Sequence, residues 1–553
     1  MSITIVSSVA LLLVAIVLKA LSNFYRGPLS ALPGPWYTHF TGIPLLYTRA
    51  TGTSRQHLRR IHKFYGPVVR VGPSEVSINS LDGYYKVHGV GSRCIKAPVF
   101  DSIRFSHSPM LFTMRDPKLH AQRKRVLGRG FSAMKEEQEI TIRRLAELAV
   151  SKIKKEAQDG RADVYKWWRC LAVDVISEMA VGKPFELLKS GGQDLPVFKA
   201  LGNAGPSVIL QVMLPSSLLA LTKWSPITWL RDVGQVTEII FNRVSTALNE
   251  VLSPSCGPSM VRHMLNEAEL SKRPVLSDDE LGSEVAMMLV AGSDSTAATL
   301  TYATWEIIRD PDLRRKIEDE VAGLPEDFTS KDLEALPLLS SALEEALRMY
   351  NPAAALVERI VPPGGISVHG WNIPGGTMVY TTGWLVSRLE EIFPNPDVFD
   401  ATRFIKPSHE QSRAHVPFSI GARSCIGMHL ARMEILVTLA TFFRECRGLR
   451  IHDDTTDDMM AQMIIPNEQD ASQLARRGWL FGDNITPGYM TPQGGGAFTF
   501  GGFTSMQMFL MGGVLVIILI IGVAACAGGG SETTATDEEA GDDDKEEEEE
   551  KDD

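Results

Sequence analysis

The stretch Pro417–Gly427, "PFSIGARSCIG", sets one cysteine among glycines, an arginine and a phenylalanine. A thiol buried only for packing needs no such neighbours. A thiolate that ligates a metal does: it must be shielded from water yet stabilised, and glycines let the backbone turn tightly and aim N–H groups at the sulfur. The helix expected next, "GMHLARMEILVTLATFF", directs its positive N-terminal end toward the same atom. Zinc is a rival occupant, since His409, His415, Cys425 and His429 lie within 21 residues. No Cys-x-x-Cys or His-x-x-x-His arm accompanies them, which counts against zinc.

Positioning such a loop takes a large scaffold, and 553 residues, 44% of them hydrophobic, can bury one. The net charge of -10 is misleading. From residue 531 onward 14 Asp/Glu stand against Lys545 and Lys551, a net of -12, so residues 1–530 carry +2. A near-neutral body argues against bulk nucleic-acid binding. Cys94, Cys170, Cys256, Cys425, Cys446 and Cys526 show no repeated spacing, so reduced thiols are expected rather than a disulfide framework. Helical spacing runs through 136–156, 164–181, 278–309 and 332–350. "YGPVVRVGPSEVSI" (65–78) and "ISVHGWNIPGGTMVYTT" (366–382) each read as two short strands joined by a turn. The expected class is mainly α with a smaller β region (α+β), without an internal repeat or a dividing linker.

The ends read differently. Residues 3–18 carry no charge and are followed by Lys19 and Arg26 without a cleavage site, which predicts an N-terminal membrane anchor over 1–24 with the body in the cytosol. "LPGPW" (32–36) closes a stiff proline-rich linker over 25–36. Beyond a Gly-rich linker at 488–507, the uncharged stretch 508–527 predicts a second transmembrane helix, and 528–553 an acidic disordered tail.

Phe418, Gly421, Arg423, Cys425 and Gly427 spell F-x-x-G-x-R-x-C-x-G, which resembles the heme-binding loop of the cytochrome P-450 family of heme-thiolate monooxygenases. The resemblance implies that Cys425 is the axial ligand of heme iron, with Arg423 on a propionate, Phe418 packed beneath the iron and Gly427 letting the loop approach the macrocycle. "EALR", 80 residues before Cys425, is similar to the family's E-x-x-R, so that Glu345 and Arg348 would join Arg403 of "DATRF" in a buried ionic triad. The latter stretch reads Ala-Thr-Arg-Phe where the family has Pro-Glu-Arg-Phe. "LVAGSDSTAATL" (289–300) resembles A/G-G-x-D/E-T-T, which implies that Asp294 is the acid and Ser295 the alcohol of a proton relay, with Thr296 contributing. Serine stands there for the usual threonine. "HAQRKRVLGRGFS" resembles the W/H-x-x-x-R helix, placing His120 and Lys124 on the propionates with lysine in place of arginine, and Arg359 of "VERIV" resembles a third basic contact.

Taken over roughly residues 32–487, with a heme domain at 37–487, the resemblance is to microsomal P-450s, and "GPVVRVGPSEVSI" is similar to filamentous-fungal enzymes of secondary metabolism. It implies heme b (iron protoporphyrin IX), O2 and electrons from NADPH. A separate NADPH-cytochrome P-450 reductase would deliver them, since no flavin or nicotinamide domain fits in the remaining residues. Arg123, Arg125, Arg129 and Arg432 are expected to form the basic patch on which that partner docks. The implied placement is the endoplasmic reticulum membrane, with the heme domain facing the cytosol. Apolar stretches at 100–112, 208–219, 287–288 and 352–357 suit a lipophilic substrate of polyketide, terpenoid or indole-derived type. Two rivals stay open, a heme-thiolate isomerase or dehydratase that needs no external electrons and a non-catalytic membrane heme sensor.

Overall fold

Gly-Pro pairs punctuate a run of β-branched residues, and there the chain forms β1 (Val68–Gly72) and β2 (Glu75–Ile78), an antiparallel pair with Val69 opposite Ser77. The structure, a computed structural model, describes residues 27–460 except 51, 107, 134, 193–194, 252–256, 272–275, 353–356, 454 and 456–459. Further along lie β3 (Ile95–Lys96), β4 (Arg359–Ile360), the hairpin of β5 (Ile366–Val368) with β6 (Trp371–Ile373), and β7 (Met378–Tyr380). One sheet runs in the order β1-β2-β7-β4-β3, with β2 and β7 parallel and Val76 opposite Val379. Two strands were expected over 366–382 and three are found. The turn at Pro374–Gly376, where Gly376 has φ 84°, ends the hairpin and sends Met378–Tyr380 into the main sheet.

Part of the expected stiff linker packs against the sheet. Leu29 and Leu32 are buried with Val68, Val76 and Val379. The Arg70 backbone N–H donates to Pro33 O at 2.8 Å, and its guanidinium to Leu29 O and Thr38 Oγ1.

The site hangs on α1 (Pro117–Ala133), α2 (Lys135–Gln158), α3 (Val164–Val181), α4 (Asp278–Arg309), α5 (Pro337–Met349) and α6 (Met428–Glu445). Ser277 and Glu280 close a capping box on α4, whose first turn carries Asp278, Asp279 and Glu280 against the positive helix end. α3 packs closely on α4. Gly292 permits this, because a Cβ there would lie 2.9 Å from Ile176 Cγ1. The single helix expected over 332–350 is divided: Ser330–Glu334 stops short, and Pro337, which has no N–H to donate, opens α5. Trp168 of α3, Leu289 and Leu300 of α4, Leu343 of α5 and Phe442 of α6 meet in one core, each burial contributing about 1.5–3 kcal/mol.

The α+β class therefore stands, and one part of the expected architecture is corrected. Among the described residues no helix is long and apolar enough to cross a membrane. The described helices therefore lend no support to transmembrane anchors, to the membrane as a partner or to the endoplasmic reticulum placement. Segments 1–24, 488–507, 508–527 and 528–553, which prompted those expectations, lie outside the described residues.

Candidate active site

Ser419 (φ 57°) and Gly421 (φ 71°) turn the loop before α6 through left-handed backbone, and Gly421 tolerates no side chain, since a Cβ would stand 2.3 Å from His88 O. The Cys425 N–H then donates to Phe418 O at 2.9 Å, closing the loop three residues before α6 begins. The Cys425 side chain is accessible to a water-sized sphere, yet enclosed enough that desolvation raises its thiol pKa; the Gly427 N–H and the Lys124 ammonium pull it back. Gly427 occupies the N-cap of α6 with no side-chain cap, leaving that positive end turned to the sulfur. Lys124, expected on a propionate, is committed to the loop itself: its Nζ donates to Ala422 O (3.0 Å), Ser424 O (2.9 Å) and Ser424 Oγ (3.2 Å).

Beside the loop the sheet edge gathers positive charge. Lys96 of β3 sits directly opposite Arg359 of β4, both buried. Like charges in that register are destabilising unless something balances them. The Lys96 ammonium donates to Phe112 O and lies 4.4 and 4.3 Å from the Phe100 and Phe112 ring centroids. Burial, and then Arg359 and Arg423, hold it well below the ordinary lysine range. Burial followed by Arg423 brings Arg359 down to about 10 and His120 down to about 3. Arg423 itself donates to the main-chain oxygens of Met114 and Arg115. The carboxylates that oppose this charge do so only in part, because Glu358 is ion-paired with Arg49 at 2.7 Å and Asp116 is exposed. An accessible thiol beside a group of basic side chains only partly offset by carboxylates fits a metal macrocycle carrying two carboxylates. Lys96 had escaped the sequence reading; only the pairing of two-residue strands 263 positions apart brings it to Arg359.

On α4, Asp294 Oδ1 is 3.1 Å from Arg169 Nε of α3, and Arg169 also donates to Phe198 O. Ser295 Oγ donates to Ala291 O at 2.6 Å, and Ala291 is exposed although Leu289 and Ser293 on either side are buried. Thr296 is buried and lies about 100° round the helix from Ser295, so it does not share the accessible side. Arg169 is a further residue that the sequence reading missed.

Glu345 and Arg348 are fully buried. Glu345 receives Arg348 Nε at 2.7 Å, Arg403 Nε at 3.0 Å and the Asp400 N–H at 3.1 Å, while Arg348 also donates to Ser387 O and Pro396 O. The expected basic patch is reduced. Arg123 is buried against Glu280 and Glu284 (2.9 Å to the latter), and Arg432 is engaged by Glu344. Arg125 is exposed, and Arg129 is half-buried. Among the described residues no group of three His, Cys, Asp or Glu is placed to hold a metal ion, and His415 lies on Glu344, so the zinc alternative has no site there.

The cytochrome P-450 family profile matches residues 32–474. The chain is 31% identical to the cytochrome P-450 monooxygenase stcB of Emericella nidulans over 450 residues, 80% of this chain and 86% of that protein. It is 33% identical to tazI of Aspergillus terreus over 469 residues (82% and 94%) and 29% identical to aflV of Aspergillus parasiticus over 463 (82% and 91%), both also cytochrome P-450 monooxygenases. Because the matched span holds the cysteine loop, the cationic cluster and the buried triad alike, this chain belongs to the cytochrome P-450 family.

Proposed function

We propose that Cys425 binds the iron of heme b, and that Lys96, His120, Arg359 and Arg423 hold its propionates within a heme domain spanning 37–487. The observation that carries this reading is the accessible Cys425 thiol, met by the Gly427 N–H and the start of α6, beside the buried Lys96 and Arg359, whose neighbouring carboxylate Glu358 is paired with Arg49. The chain is a monooxygenase acting on a lipophilic substrate in fungal secondary metabolism, with O2 and NADPH-derived electrons. When bound, the heme supplies the activation of O2 and the oxidation of substrate.

The protein's own work is ligation, orientation and proton supply. Lys124 fixes the Ala422 and Ser424 carbonyls just before Cys425 and so keeps the sulfur in place. Asp294, 43% exposed and paired to Arg169, is the acid of the relay, and Ser295, whose Oγ donates to Ala291 O, is its alcohol on the same helix. Both groups being accessible favours the monooxygenase over an isomerase, which needs no proton supply for oxygen. Electrons arrive from a separate NADPH-cytochrome P-450 reductase, for which Arg125 on α1 offers an exposed cation. Exposed Phe112 and partly buried Met287 support a polyketide, terpenoid or indole-derived substrate.

Reduced protein under carbon monoxide is expected to show the long-wavelength Soret band of a thiolate-ligated heme, and Cys425→Ala to lose it. Retention of the band in that variant overturns the ligand assignment. Product that forms only with NADPH and reductase separates the monooxygenase from both rivals.

A further inference from the structure

Glu344 and Glu345 are adjacent on α5, about 100° apart round the helix, and only Glu345 belongs to the triad. Glu344 Oε1 accepts Arg432 Nε at 2.8 Å and its Oε2 accepts the second guanidinium nitrogen at 3.0 Å, a two-point hold; His415 Nε2 is 2.6 Å from the same Oε2. Burial pushes the Glu344 carboxyl up, but His415 and Arg432 together bring it down to about 2, so it stays charged. One carboxylate therefore grips the chain on both sides of the cysteine loop, at its entry through His415 and at its exit through Arg432. The Arg432 guanidinium carbon lies 4.9 Å from the Phe418 ring centroid, and Phe418 O is the acceptor for the Cys425 N–H. Hydrogen bonds and charges around the loop that carries a ligating sulfur tune the potential of the metal it binds.

We propose that Glu344 is a positioning residue for the Cys425 thiolate: it holds Arg432 over Phe418, whose carbonyl accepts the Cys425 N–H, and cancels the guanidinium charge on that side of the loop. Reduction of the site adds negative charge, so an uncompensated Arg432 favours it and an uncompensated Glu344 opposes it. The proposal rests on the heme-thiolate reading, and the two can fail separately. In the holoenzyme, the ferric/ferrous potential of Glu344→Gln is expected to move positive and that of Arg432→Gln negative, with the double variant returning toward wild type. Heme content and the carbon monoxide band are read on the same samples. A clamp that was merely structural would lower heme retention in both single variants without shifts of opposite sign. Unchanged or same-sign potentials with the thiolate band intact overturn the proposal. If Glu344→Gln loses its heme, Arg432→Gln alone decides: a negative shift supports the proposal, and no shift or a positive one sinks it. Absence of the thiolate band in wild type would instead overturn the heme reading.

Discussion

Lys96 faces the buried Arg359 guanidinium, an arrangement that an anion joining it would stabilise. A charge-assisted hydrogen bond is worth about 1.5–3 kcal/mol. Lys96→Met should therefore speed heme transfer to an acceptor apoprotein by roughly 10- to 100-fold, while Lys96→Arg should stay near the wild-type rate. Equal rates for Lys96→Met and wild type would remove Lys96 from the propionate set. The residue scale also shows what a sequence discloses. Cys425 is legible because ligation demands a tight turn, and that demand leaves glycines at neighbouring positions. Glu345 and Arg348 are legible because one helical turn spaces them. Lys96, Arg169 and Glu344 leave no such trace, since each gains its role from a partner on another element: Arg359, Asp294 and Arg432.

Helix α5 does more than fill the core, for it presents Glu345 to the segment holding Asp400 and Arg403. Removing one partner from a buried charged network costs ~3–5 kcal/mol, so Glu345→Ala should lose heme or unfold at markedly lower urea. A full heme complement in that variant would show the triad to be dispensable. The start of α5 was misread from its periodicity, because an apolar pattern runs unbroken across Pro337 although the backbone cannot. The third strand of 366–382 was missed for a related reason: the partner of β7 is β2, far away in the chain, and nothing local announces it. Another element, the helix Ser54–Tyr65, is tied to β2 by His62, whose Nε2 is 2.7 Å from Ser77 Oγ and whose Nδ1 is 2.8 Å from Gly66 O. Burial brings its pKa from 6.5 down to about 4, against the Gly66 bond. The unfolded chain thus takes up a proton near pH 6.5 that the folded one refuses until about pH 4. The stability is present above pH 6.5 and is lost as pH falls through that window, by up to about 3 kcal/mol. In urea melts across pH 4–7, His62→Gln should fall less steeply than wild type; parallel curves would refute the assignment.

At the scale of the molecule, the family match ends at residue 474, well before the chain does. Deleting 494–553 is expected to leave the carbon monoxide spectrum intact and most of the turnover, and loss of heme on truncation would show that those residues belong to the heme domain. The helical body was readable because its segments are long and strongly periodic, whereas the sheet was only half readable, its strands being short and its pairings remote. That remoteness governs how the protein is made. The β2–β7 ladder joins Val76 to Val379, so during synthesis the β1–β2 hairpin emerges with one edge unpaired and waits for about 300 more residues. At about 5–20 residues per second the wait is roughly 15–60 s. An open edge exposed for that long is a template for other chains. The nascent polypeptide therefore depends on something to shield residues 75–78 until the ribosome has passed Tyr380, and the cysteine loop follows only some forty residues later.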